Sequence, residues 1–159
     1  MSTFDSSTQK VGNGLNVDTT ITLMDSLACH AEAATYGGVG SNPTTTYGPS
    51  VTKTVTVASD EVALVIVNFN FGISDGSSST GRAAIYVNGV QYGADYVIES
   101  AQTDAGASGI KNSASFSHFI TGYSGSVTYG LYYSRNTGAG TIYIGNSEIN
   151  VLLFKYRPS

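Results

Sequence analysis

Along most of the chain apolar and polar positions alternate with a period of two, the mark of β-strands with one buried face. In Val51–Ala58, Val51, Val55 and Val57 fall on one face and Thr52, Thr54 and Thr56 on the other. Ser59-Asp60-Glu61 turns the chain into Val62–Gly72, its most hydrophobic segment. There Val65, Val67, Phe69 and Phe71 share a face, while the opposite face begins apolar at Leu64 and Ile66 and becomes polar at Asn68 and Asn70. Arg82–Asn88 and Val90–Ile98 read as a hairpin about Asn88-Gly89, because both residue types accept the positive φ of a two-residue turn. Ser113–Thr121, Ser126–Arg135 and Thr141–Ile144 supply further strands. The last strand, Ile149–Tyr156, is apolar on both faces, with Ile149, Val151 and Leu153 pointing one way and Leu152, Phe154 and Tyr156 the other. One set fills a core; the other needs a second cover. No segment has the pattern of a helix able to supply it, so a second copy of the chain is the expected cover.

The rest of the chain is less regular. Asn16–Met24 reads as a strand, and Leu27–Ala34 is short, with helix propensity but equal fitness as a strand. Tyr36–Pro49, Ser74–Gly81 and Glu99–Lys111 carry the Gly, Pro and Ser content of loops. Residues 1–15 are polar apart from Phe4, Val11 and Leu15, which reads either as terminal disorder or as an arm whose apolar residues dock on a partner. The expected organisation is an arm at 1–15 and one domain at 16–159. Eight or more strands with few helical signals predict an all-β, antiparallel β-sandwich or jelly roll.

Composition narrows the function. Charged residues make up 11% of the chain, against roughly a quarter in ordinary soluble proteins. Gly, Ser, Thr, Asn and Tyr take their place, a mix that suits strands, turns and uncharged protein contacts. The net charge is −4 and the seven basic residues are scattered, which argues against nucleic acid as a partner. No run approaches the roughly 20 apolar residues of a membrane span, so no membrane is expected. The first residues lack the basic and apolar regions of a signal peptide, and synthesis in a cytoplasm without secretion is expected. Cys29 is the only cysteine; next to Leu27 and Ala28 it reads as a buried free thiol, and neither a disulfide nor a metal site is expected.

Catalytic patterns are sparse. His30 and His118 are the only histidines, and Cys29 and His30 point to opposite faces of any extended segment. His118, within a strand, reads as a packed or surface residue. Gly122-Tyr123-Ser124-Gly125-Ser126 has its glycines at the wrong spacing for a nucleophile elbow. Asp75 and Asp104 lack the dense acidic neighbours of a calcium loop and read as turn formers. An enzyme is not expected, nor is a cofactor. Tyr129, Leu131 and Tyr133 share one strand face and Tyr132 the other, which suits a core and a subunit interface better than a sugar platform. Tyr36, Tyr47 and Tyr123, in loops, are the better candidates for ligand contact. Strand parity nominates Leu64, Ile66, Tyr132, Leu152 and Phe154 as the subunit interface.

Three segments and the hydrophobic last strand together resemble a known family. They are Thr54–Val65, Arg82–Gly89 with its closing Tyr86-Val87-Asn88-Gly89, and Val127–Arg135. Spread over about two-thirds of the chain, they resemble the tumour-necrosis-factor-like (complement-type) jelly rolls of tailed-phage virion proteins. The resemblance implies a homotrimer in which one sheet of each subunit, carrying the last strand, faces the threefold axis. It implies a capsid decoration protein, a head fibre or a tail-fibre tip. Because the sequence opens at Met1 with only a short arm, the expectation is a stand-alone trimer on the virion surface, assembled in the host cytoplasm. Phe4, Val11 and Leu15 would anchor it to the major capsid protein. The alternative is a tail-fibre or receptor-binding module that recognises a host cell-surface glycan through loops such as Tyr36–Pro49 and Glu99–Lys111.

Overall fold

The computed structural model describes residues 10–11, 15–16, 29–74, 79–98 and 112–155. Among these, a short antiparallel pair is formed by β1 (Lys10–Val11) and β2 (Leu15–Asn16). Phe4, the remainder of the expected strand Asn16–Met24, and the loop Glu99–Lys111 with Asp104 lie outside the described residues, as does Asp75.

Eight longer strands follow: β3 (Cys29–Asn42), β4 (Gly48–Val57), β5 (Glu61–Ser74), β6 (Thr80–Val87), β7 (Val90–Ile98), β8 (Asn112–Ile120), β9 (Gly125–Thr137) and β10 (Thr141–Lys155). They form two antiparallel four-stranded sheets, ordered β3-β10-β5-β8 and β4-β9-β6-β7. The pairs nest from the outside in: β3 with β10, β4 with β9, β5 with β8, β6 with β7. That nesting is the jelly roll, and the fold is the expected all-β sandwich. The core lies between the sheets. Val65, Val67 and Phe69 on β5 and Ile149, Val151 and Leu153 on β10 meet Ile85 and Val87 on β6 and Tyr129 and Leu131 on β9, all buried. Removing such side chains from water contributes roughly 1.5–3 kcal/mol each.

Two segments differ from their sequence reading. Residues 29–42 are one long strand, so a helix over Leu27–Ala34 does not form from Cys29 on, and the loop expected from Tyr36 begins only after Asn42. At two glycines of this strand a tyrosine ring lies against the backbone. A Cβ on Gly38 would sit 2.6 Å from the Tyr36 hydroxyl, and one on Gly40 would collide with the Tyr133 hydroxyl. Covering glycine with an aromatic ring is a recognised way of keeping it in a sheet. Similarly, Thr141–Ile144 and the last strand are continuous in β10. The Gly145-Asn146 step that looked like a turn is a β-bulge, with Asn146 at φ 47°.

The Asn88-Gly89 hairpin forms as predicted, with φ of 50° and 82°. Asn88 also ties the hairpin to β9. Its N–H donates to the Thr128 carbonyl and its Oδ1 accepts from the Thr128 N–H, both at 2.8 Å.

Candidate functional site

The register of the first sheet sorts its outer face into rows. At one end Phe154 stands opposite Val62. Next, Ala31, Leu152, Leu64 and Phe119 form a row across all four strands. Then come Ala33, Asn150, Ile66 and Ser117, and after them Thr35, Glu148, Asn68 and Ser115. The face therefore passes from apolar to polar along the strands. Its apolar end is the two-sided strand β10 beside the two-sided strand β5, each with its other face in the core. Val62, Leu64, Ile66, Leu152 and Phe154 shield one another and are half-buried, while Phe119 is 64% exposed. The Phe119 and Phe154 rings lie 6.5 Å apart. A cleft of about 590 Å³ opens beside them, lined by Val62, Phe119, Asp60, Glu61, Thr121 and Gly122.

Of the five interface residues expected from parity, four share this face: Leu64, Ile66, Leu152 and Phe154. Tyr132 does not. It lies on β9, on the outer face of the other sheet, where its ring stacks on Tyr86 at 4.2 Å with 21° between planes. Parity assigns a residue to a face of its own strand; it does not say which sheet that strand joins. Of the arm residues, Val11 pairs with Leu15 between β1 and β2, and Phe4 is outside the described residues.

Tyr132 and Tyr86 belong to a cluster that chain order conceals. Tyr47, just before β4, lies 5.4 Å from Tyr86 and donates its hydroxyl to Asp95 Oδ1 at 2.6 Å. The Arg82 guanidinium sits over the Tyr47 ring at 4.7 Å. It bonds Ser134 Oγ at 2.9 Å and the Thr45 carbonyl at 3.0 Å, and stands 3.5 Å from Asp95. Gln91 donates to Asp95 at 2.7 Å. Burial, then the hydrogen bond to Asp95, raises the Tyr47 phenol well above its ordinary range, and burial also raises Tyr86.

No family model, no curated protein and no solved structure matches this chain.

The remaining candidates for chemistry are dispersed. His30 is exposed, 3.0 Å from Glu32, whose carboxyl is held below its ordinary range by Lys53 and then by His30. Lys53 Nζ reaches Glu32 at 2.7 Å, an ion pair that joins β3 to β4 between the sheets. His118 is packed, with its ring against Gly93 and between Tyr92 and Phe116. Tyr129 and Tyr133 are core residues, and Tyr123 packs against the core. Among the described residues no three of His, Cys, Asp and Glu come together as metal ligands. Sequence reasoning missed Phe119, although its signal was there: a lone aromatic at the end of the Ser113, Ser115, Ser117 face. Nothing in the sequence linked Tyr47 to Arg82, Tyr86 and Asp95.

Proposed function

We propose that the chain is a virion structural protein, a homotrimer that decorates a phage capsid. The observation that carries the trimer is the apolar end of the β3-β10-β5-β8 face, uncovered among the described residues. A cyclic trimer needs a heterologous contact, in which two different patches meet. The row Ala31, Leu152, Leu64, Phe119 is suited to that, because it is small-residued at the β3 edge and carries a projecting ring at the β8 edge. The jelly-roll strand order supports the resemblance to virion domains, and that resemblance supplies the phage setting. In this reading residues 1–15, with Phe4, Val11 and Leu15, hold the trimer to the major capsid protein. Three weak arms on one rigid body bind far more tightly than one. The protein needs no cofactor and catalyses no reaction, and its partners are its own copies and the capsid, with neither nucleic acid nor membrane.

Light scattering tests the assembly, with an expected mass near three times 16.5 kDa. Charge at Leu152 or Phe154, as in Phe154→Asp, reduces that mass to one subunit, since an unpaired charge buried in an apolar contact costs several kcal/mol. A Phe154→Asp protein that remains trimeric and stable rejects this face as the interface. Deleting residues 2–15 leaves the trimer intact and abolishes capsid binding; retained binding rejects the arm as the tether. A second reading, a fibre or receptor-binding module for host cell-surface glycan, is favoured by the tyrosine cluster on the opposite sheet.

A further inference from the structure

We propose that the outer face of the β4-β9-β6-β7 sheet carries a binding platform for a neutral glycan, built from Tyr132, Tyr86 and Tyr47 and braced by Arg82 and Asp95. The site deepens the glycan-binding reading and is independent of the trimer, whose interface lies on the other sheet.

The platform is preorganised. Tyr47 is pinned by its hydrogen bond to Asp95 and by the guanidinium over its ring. Arg82 is itself held by Ser134 and the Thr45 carbonyl, so the loop before β4 is fixed across the sheet. Tyr132 depends on a glycine. A Cβ on Gly130 would lie 2.8 Å from the Tyr132 ring and 2.9 Å from the Thr52 methyl. Gly130 is buried mid-strand at ordinary φ, so it is not there for a turn; its missing side chain leaves the space that the edge of the Tyr132 ring occupies. Holding rotamers in place before binding reduces the ordering entropy a ligand must offset.

The chemistry selects the ligand. Arg82 and Asp95 neutralise each other, leaving no net charge to attract an ion. Bonding capacity remains mainly on hydroxyls and an amide: among the described residues the Tyr86 and Tyr132 hydroxyls and the Gln91 carbonyl have no hydrogen-bond partner. Aromatic carbon with polar tips at its edge is amphipathic in the same way as a pyranose, whose C–H faces pack on rings while its hydroxyls bond at the rim. The rings stand on the outer face of a sheet, which fits part of an extended sugar chain.

The test is an array of neutral, sialylated and sulfated oligosaccharides probed with the labelled full chain, alongside Tyr132→Ala, Tyr86→Ala and Tyr132→Phe. Circular dichroism and light scattering confirm that each variant is folded and retains the wild-type mass. The expected result is retention on neutral glycans that falls roughly tenfold or more in both alanine variants, as for a central aromatic anchor. Tyr132→Phe, which keeps the ring and loses only the hydroxyl, falls between. Retention on no glycan, or only on the acidic ones, overturns the proposal, as does unchanged binding by both alanine variants. A protein captured through Tyr132 while no glycan is retained also overturns it. Mass and binding separate the two readings: a monomer that holds neutral glycans through Tyr132 keeps the platform and rejects the trimer. A trimer that holds none rejects the platform and the glycan-binding reading and leaves the trimer standing.

Discussion

At the scale of single residues, buried phenols govern the response to alkali. Burial pushes Tyr129 up to about 12 and raises Tyr133 as well, both in the core between the sheets. An unfolded tyrosine titrates near about 10. The folded state thus keeps a proton that the unfolded chain loses, so stability is intact below about pH 10 and falls as pH rises towards the folded values. Thermal melts across that range are expected to show a declining midpoint in the wild type and a shallower decline in Tyr129→Phe. An equal slope in both would remove Tyr129 from this account. The core placement of Tyr129, Leu131 and Tyr133 was legible in the sequence, because alternation along one strand is a local property. The roles of Gly38, Gly40 and Gly130 were not, because each is defined by a ring that reaches it only in the folded chain.

At the scale of elements, the hairpin β6–β7 is the best-specified local structure. Asn88 and Gly89 both occupy the left-handed region, and Asn88 adds two bonds to Thr128. Gly89→Val places a branched side chain at φ 82° and is expected to cost about 1–2 kcal/mol in urea unfolding. Asn88→Ala loses the side-chain bond to β9 and is expected to cost about 1–2 kcal/mol in the same measurement. If both variants unfold at the wild-type urea concentration, the turn does not anchor the hairpin. β3 and β10 were harder to read. In β3, alanine and glycine hide a strand whose stability comes from pairing with β10 along its length. In β10, a bulge at Gly145–Ser147 resembles a loop in sequence because turns and bulges use the same residue types.

At the scale of the whole molecule, the low charge content predicts how any assembly responds to salt. The apolar end of the β3-β10-β5-β8 face carries no ionised side chain in its two leading rows. Contacts made there are hydrophobic, and salt that screens charge, to a Debye length of about 3 Å at 1 M, does not weaken them. The mass of the proposed trimer is therefore expected to be the same at low and at molar salt. Dissociation on adding salt would point to an ionic contact elsewhere, and away from Leu152 and Phe154.

By itself the sequence determined the fold class and the two-sided character of β5 and β10, because both follow from a period of two that each strand carries alone. It also determined the Asn88-Gly89 turn, whose dihedral preferences are intrinsic to those residues. Only the tertiary structure decided which strands share a sheet. That choice put Leu64, Ile66, Leu152 and Phe154 on one face with Phe119, and sent Tyr132 to the other sheet with Tyr86, Tyr47 and Arg82. Strand pairing joins residues far apart in the chain, and alternation within a strand has no information about its neighbours.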